Sequence, residues 1–269
     1  MSLLHGFQAL PRELHQEIVK WTKTPDVLPL ALVSKSFNED FEQILYRTIV
    51  LRDVMRIQQF CRAIDSNSDR RHRQRRNQIK HIAFVLPMPV CIPSASRILS
   101  MCDKIIDIFV LGGDAAFLHD AGKLLEKRAG QMQVSRLSAD VLELCNYHQG
   151  LKADWLPGPF PNFLSRLTHL SVRSEVYNHG WVEWAGLAAL PALTHLAFQV
   201  WGGQPAPVQL LEGALAHCAS LRVLILFHPR DREGYDHIGI RDERFSMNVC
   251  ADAIGAWVNN CRGDKEFWG

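Results

Sequence analysis

The sequence predicts an α/β chain in two parts: a three-helix module over residues 5–48, then an irregular solenoid of alternating strands and helices over residues 49–269. Three observations carry this reading. A short word, apolar-x-x-apolar-x-apolar, recurs from residue 79 onward. Its copies start 26 to 33 residues apart, the length of one strand plus one helix. The segments between copies carry their apolar residues at helical spacing instead.

The N-terminal part opens on Leu10-Pro11. Proline is favoured in a first helical turn, where its missing N–H has no partner to lose. Leu14, Ile18 and Val19 then recur at helical spacing, and Thr24-Pro25-Asp26 ends the helix. Leu28, Leu30, Ala31, Leu32 and Val33 make a dense apolar patch. Ser34 suits an N-cap before a last helix bearing Phe37, Phe41, Ile44 and Leu45 on one face. Three helices this short bury little surface, so the module needs support from the rest of the chain or from a partner.

In the body, the word reads Ile79-x-x-Ile82-x-Phe84, Ile105-x-x-Ile108-x-Val110 and, more weakly, Val134-x-x-Leu137-x-Ala139. It returns as Leu167-Thr168-His169-Leu170-Ser171-Val172, is nearly repeated from Leu193 to Phe198, and closes as Leu221 to Leu226. Tyr46-x-x-Ile49-x-Leu51 is a degenerate opening copy. Helical faces fall between them, such as Val54, Ile57, Cys61 and Ile64, then Phe117, Leu118, Ala121 and Leu125, then Val208, Leu211, Leu215 and Cys218. One strand and one helix cannot bury both apolar faces alone, whereas stacked neighbours can. A doubly wound sheet is the competing fold, and it predicts less regular spacing and longer apolar strands. Arg166, Thr168, His169, Ser171 and Arg173, with Thr194, His195 and Gln199, are expected on the strand face away from the core. Such a face usually binds another protein.

Residues 65–77 form a polar, strongly basic run between a helix and a strand, read as an exposed loop with nuclear import as a second reading. Residues 228–244 are expected as a long polar loop, with helix resuming near 249–258.

Several function classes are set aside. A formal charge of +2 is too close to balance to point to nucleic acid or a membrane surface. No apolar run reaches a membrane span, and the start lacks the features of a signal peptide. Seven scattered cysteines, an odd number, argue for a reducing intracellular setting, cytoplasmic or nuclear. No His-Glu-x-x-His, Cys-x-x-Cys, phosphate loop or Gly-x-Ser-x-Gly elbow is found. Gly112-Gly113-Asp114 reads as a turn. The expectation is therefore a chain with no catalytic residue, no metal ligand and no cofactor.

The stretch Leu10-Pro11-Arg12-Glu13-Leu14, then Ile18, Leu30 to Phe37 and Leu45-Tyr46-Arg47, resembles the F-box family in the form seen in basidiomycete fungi. The body is similar to a degenerate leucine-rich repeat, although the usual asparagine after each strand is missing. The resemblance implies a module that docks on Skp1 of cullin-RING ubiquitin ligases through Leu10, Pro11, Leu14, Ile18, Leu30, Val33 and Phe37. It implies a substrate-recruiting adaptor whose client, unknown, lies against the strand face named above. Asp242-Glu243-Arg244-Phe245 and the ending Gly263 to Trp268 are similar to the tail of the same group. The alternative is a ligase-independent scaffold or binding protein.

Overall fold

Each copy of the word becomes one strand of a single sheet. The computed structural model describes residue 14 and residues 44–65, 75–85, 87–112, 115–144, 162–173, 185–200, 207–228, 238–249 and 252–262. In chain order these form β1 (Thr48–Leu51), α1 (Val54–Asp65), β2 (His81–Val85), α2 (Ile92–Met101), β3 (Asp107–Leu111), α3 (Ala115–Arg128), β4 (Arg136–Ala139) and α4 (Val141–Leu144). β5 (His169–Arg173), β6 (His195–Gln199), α5 (Val208–His217), β7 (Val223–His228), β8 (Phe245–Val249) and α6 (Ala253–Arg262) follow. Single 3-10 turns precede α2, β5 and β6.

All the strands are parallel, and they lie in the sheet in chain order from β1 to β8. Among the described residues the strand order does not reverse, as it does in doubly wound sheets. The register aligns equivalent letters of the word: Ile82, Ile108, Leu137, Leu170, Leu196 and Leu224 stand side by side. All are buried, as are Ile79, Ile105, Val134, Leu167, Leu193 and Leu221, which open each word. Side chains alternate along a strand, so this column and the one two residues later face the same layer. That layer holds the inner faces of α1 to α5 in one apolar core.

A backbone device locks each coil to the last. The carbonyl of the word's second residue accepts two N–H groups, from the second and third residues of the next copy. Lys80 accepts from Ile106 and Asp107, Ile106 from Ser135 and Arg136, and Ser135 from Thr168 and His169. Thr168 then accepts from Thr194 and His195, and Thr194 from Arg222 and Val223, all at 2.8–3.2 Å. The threonines add side-chain rungs. Thr168 Oγ1 donates to the Ser135 carbonyl and Thr194 Oγ1 to the Thr168 carbonyl, both at 3.1 Å.

Two features depart from the sequence reading. Between the loop expected over 228–244 and the helix expected near 249–258 lies a strand absent from that reading, β8, formed by Phe-Ser-Met-Asn-Val. It is held by the Asp242 and Arg244 pair. Arg244 binds both carboxylate oxygens of Asp242, at 2.9 and 2.7 Å, and donates to the Leu215 carbonyl at the end of α5. The Arg244 hydrogen bond holds the Asp242 carboxyl down to about 2. The second departure is α6. It packs on the opposite sheet face from α1 to α5, with Ile254, Trp257 and Cys261 against Ala83, Val85 and Phe109. Ala256 reaches Ala197, Ile225 and Phe227 further across the sheet.

The basic run 65–77 is described only at its ends. Asp65 forms an ion pair with Arg97, and the Arg75 guanidinium lies 5.2 Å from the centre of the Tyr46 ring. Cys61, Cys91, Cys102, Cys218 and Cys261 are buried and unbridged. Among the described residues, no helix is long and apolar enough to cross a membrane. Of the seven positions implied for Skp1 docking, Leu14 alone is described. It is helical and 49 % exposed. Leu10, Pro11, Ile18, Leu30, Val33 and Phe37 lie outside the described residues.

The stacked column and Leu14 differ in what truncation removes. Leu196→Ala empties a fully buried position and should lower unfolding stability by about 2–5 kcal/mol in urea titration. Leu14→Ala, at an exposed position, should stay within about 0.5 kcal/mol.

Candidate functional site

The third letter of each word faces away from the main core. In register it reads His81, Asp107, Arg136, His169, His195 and Val223 across β2 to β7. Five polar groups thus stand in one row at the starts of adjacent strands, brought together by the repeat alone.

At one end of the row, His169 and His195 stack with ring centres 4.1 Å apart and planes 7° from parallel. Each Nδ1 lies 2.8 Å from the Oγ1 of the preceding threonine. Those hydroxyls donate their single protons to backbone carbonyls. The imidazole Nδ1 must therefore carry the proton and donate to Oγ1, which fixes the tautomer of both rings. Burial, then the neighbouring His195 and Arg136, pushes His169 down to about 3. It stays neutral at ordinary pH.

At the other end, α6 closes over His81 and Asp107. Trp257 and Cys261, one helical turn apart, project onto the same spot. Trp257 Nε1 donates to Asp107 Oδ1 at 3.1 Å, and Cys261 Sγ lies 3.6 Å from Asp107 Oδ2. His81 Nδ1 is 3.6 Å from the same Oδ2, too far for a normal hydrogen bond. One ligand atom from each of His81, Asp107 and Cys261 lies within 4.8 Å of the others. The three residues are 2 %, 3 % and 4 % exposed. Burial, then the Asp107 carboxylate, pushes the Cys261 thiol far above its usual range. Neither ring nitrogen of His81 has a hydrogen-bond partner among the described residues. The indole of Trp257 meets the His81 ring edge-on at 6.4 Å and tilts over Phe109 at 5.3 Å.

This cluster corrects the expectation of a chain without catalytic capacity, because its geometry is compatible with metal coordination. Imidazole, carboxylate and thiol are the donor types of zinc sites, and three protein donors are the set that catalytic zinc sites use. Motif tests fail here because the ligands are not close in sequence. His81 and Asp107 are one repeat apart, and Cys261 comes from the far end of the chain. The signal available in the sequence was the third letter of the aligned words, Ile-Lys-His-Ile and Ile-Ile-Asp-Ile. No comparable signal marked Cys261.

The residues expected to bind a client are divided by the structure. Ser171, Arg173 and Gln199 face away from the main core but are buried. The Arg173 guanidinium sits 5.0 Å from the Phe109 ring centre. Thr168 and Thr194 belong to the rungs between coils. His169 and His195 are half-buried, and Arg166 is exposed at a turn, donating to the Ala129 carbonyl at 2.8 Å. Comparison with protein-family models and with curated proteins finds no match to this chain.

The histidine stack sets a pH dependence. An unfolded His169 titrates near 6.5 and the folded one near about 3. Between these values the unfolded chain binds the proton and the folded chain does not, so acidification lowers stability. His169→Gln should flatten the fall in urea midpoint between about pH 6.5 and 4, measured against the parent chain.

Proposed function

We propose that the chain is a binding or scaffold protein, built on a leucine-rich-repeat-like stack of coils, that engages a protein partner without a ubiquitin-ligase scaffold. The observation supporting this is the single parallel sheet in chain order, whose strand starts line up chemically related side chains. Stacks of this kind offer an extended surface that varies residue by residue without changing the fold. On this surface the half-buried His169 and His195, with exposed Arg166 and Arg222 at the adjoining rim, are the groups a partner reaches. Ser171, Arg173 and Gln199 act beneath them as support. Five buried, unbridged cysteines fit a reducing compartment.

A second reading keeps the Skp1–cullin–F-box adaptor. The observation favouring it is Leu14, helical and about half exposed within the word that resembles an F-box. In that reading a client held by the strand face is delivered at high effective concentration to the ubiquitin-carrying enzyme.

Affinity purification of the 269-residue chain from its own cells, with Skp1 quantified alongside, separates the two. On the primary reading Skp1 is absent, and the double change His169→Ala and His195→Ala weakens capture of the specific partner by about tenfold. Skp1 recovered in equal amount from the parent chain and lost with Leu14→Ala would establish the adaptor instead.

A further inference from the structure

The cluster where α6 meets β2 and β3 has a chemistry that the binding reading does not use, and it stands independently of that reading. His81 comes from the start of β2, Asp107 from the start of β3, and Cys261 from the last turn of α6. We propose that these three side chains bind one divalent cation of the zinc class, and that the ion fastens α6 to the face of the sheet.

The donor set selects the ion. Nitrogen, oxygen and sulfur together suit zinc, whereas magnesium and calcium take oxygen donors. The charges match. A carboxylate and a thiolate with a neutral imidazole neutralise a dication, in a place where a net charge would be costly. Distances fit as well. Zinc bonds of about 2.0–2.3 Å in tetrahedral geometry place ligand atoms somewhat over 3 Å apart. Asp107 Oδ2 lies 3.6 Å from both His81 Nδ1 and Cys261 Sγ.

A second, independent observation is the state of His81. It is 2 % exposed, its ring points into the cluster, and neither nitrogen has a hydrogen-bond partner among the described residues. Buried polar groups are nearly always satisfied, and an imidazole left without partners calls for an explanation. Coordination through Nδ1 supplies a partner for the nitrogen that faces Asp107. Trp257 completes the design as a positioning residue. Its indole N–H holds Oδ1, which turns Oδ2 toward the other two donors. Such an outer contact orients a ligating carboxylate. Ala83, Val85, Phe109 and Ile254 form an apolar surround, which strengthens each bond to the ion. On binding, Cys261 gives up its thiol proton to solvent and ligates as thiolate. The fourth coordination position remains for water or a small donor.

The test uses the whole 269-residue chain and the metals alone. Elemental analysis after zinc exposure and gel filtration should find one zinc per chain. Cobalt substituted for zinc should give a thiolate-to-metal charge-transfer band in the near ultraviolet. X-ray absorption on the zinc form should show one sulfur at about 2.3 Å with nitrogen and oxygen completing the shell. Cys261→Ser should abolish the cobalt band, whereas Cys218→Ser, in the opposite layer, should keep it. Trp257→Phe should retain the ion with affinity reduced about 10–100-fold, and the zinc-induced rise in Tm should shrink with it. Well under one equivalent of zinc on folded parent chain would overturn the proposal. So would an absorption spectrum without sulfur, which requires no variant to fold, or a cobalt band unchanged in folded Cys261→Ser.

Discussion

A parallel register that sets each letter of one coil beside the same letter of the next is the constraint on which the molecule depends. It is enforced by carbonyls that each accept two N–H groups from the succeeding coil, from Arg47 to Thr194. Slipping by one residue would move Leu170, Leu196 and Leu224 out of the core and swing His169 and His195 into it. The apolar column and the polar row are therefore one decision. The helices of one layer lie over the column, and the row is left to the other side.

That row shows how a repeat creates chemistry that no local motif announces. Two threonine-histidine pairs that look like decoration in the sequence become stacked rings with a defined tautomer. The same position two coils earlier holds an aspartate, and one coil before that a histidine. Their pairing is loose until α6 arrives with an indole N–H and a thiol. Burial then raises the stakes of every unsatisfied atom, since a low dielectric strengthens good contacts and penalises missing ones. In the opposite layer, burial pushes Cys102 up to about 12 and Cys218 up to about 11. These thiols stay protonated, small and apolar in behaviour.

Legibility followed the strength of the period. The words from Ile79 to Leu226 were readable because each places buried apolar residues at fixed offsets, and the structure buries all of them. The opening copy, Tyr46-x-x-Ile49-x-Leu51, is weaker: Leu51 is buried but Ile49 only partly so. β8 was not. Phe245 to Val249 contains serine and asparagine and is only partly buried, so its pattern resembles a loop. It becomes a strand because β7 offers a complete edge and Arg244 anchors its start. The candidate metal centre was half legible, since His81 and Asp107 share a letter of the word. The third ligand was not, because nothing local to Cys261 records that α6 crosses to the far face. The burial of Ser171, Arg173 and Gln199 was equally invisible, for strand alternation gives the face but not what covers it.

The path of α6 has a further consequence for how the chain comes apart. An array of coils in which each touches only its neighbours can fray from either end, one unit at a time. Here the segment after the final strand returns to β2 and β3 while also touching residues of β6 and β7. The linear array is thereby closed into a circuit. The first coils cannot peel away without releasing the last helix, and the last helix cannot leave without uncovering the first coils. Closing so long a loop costs little more chain entropy than closing a short one. In return it ties the two ends of the sheet to a common fate, so that an array built for gradual melting behaves as one cooperative unit.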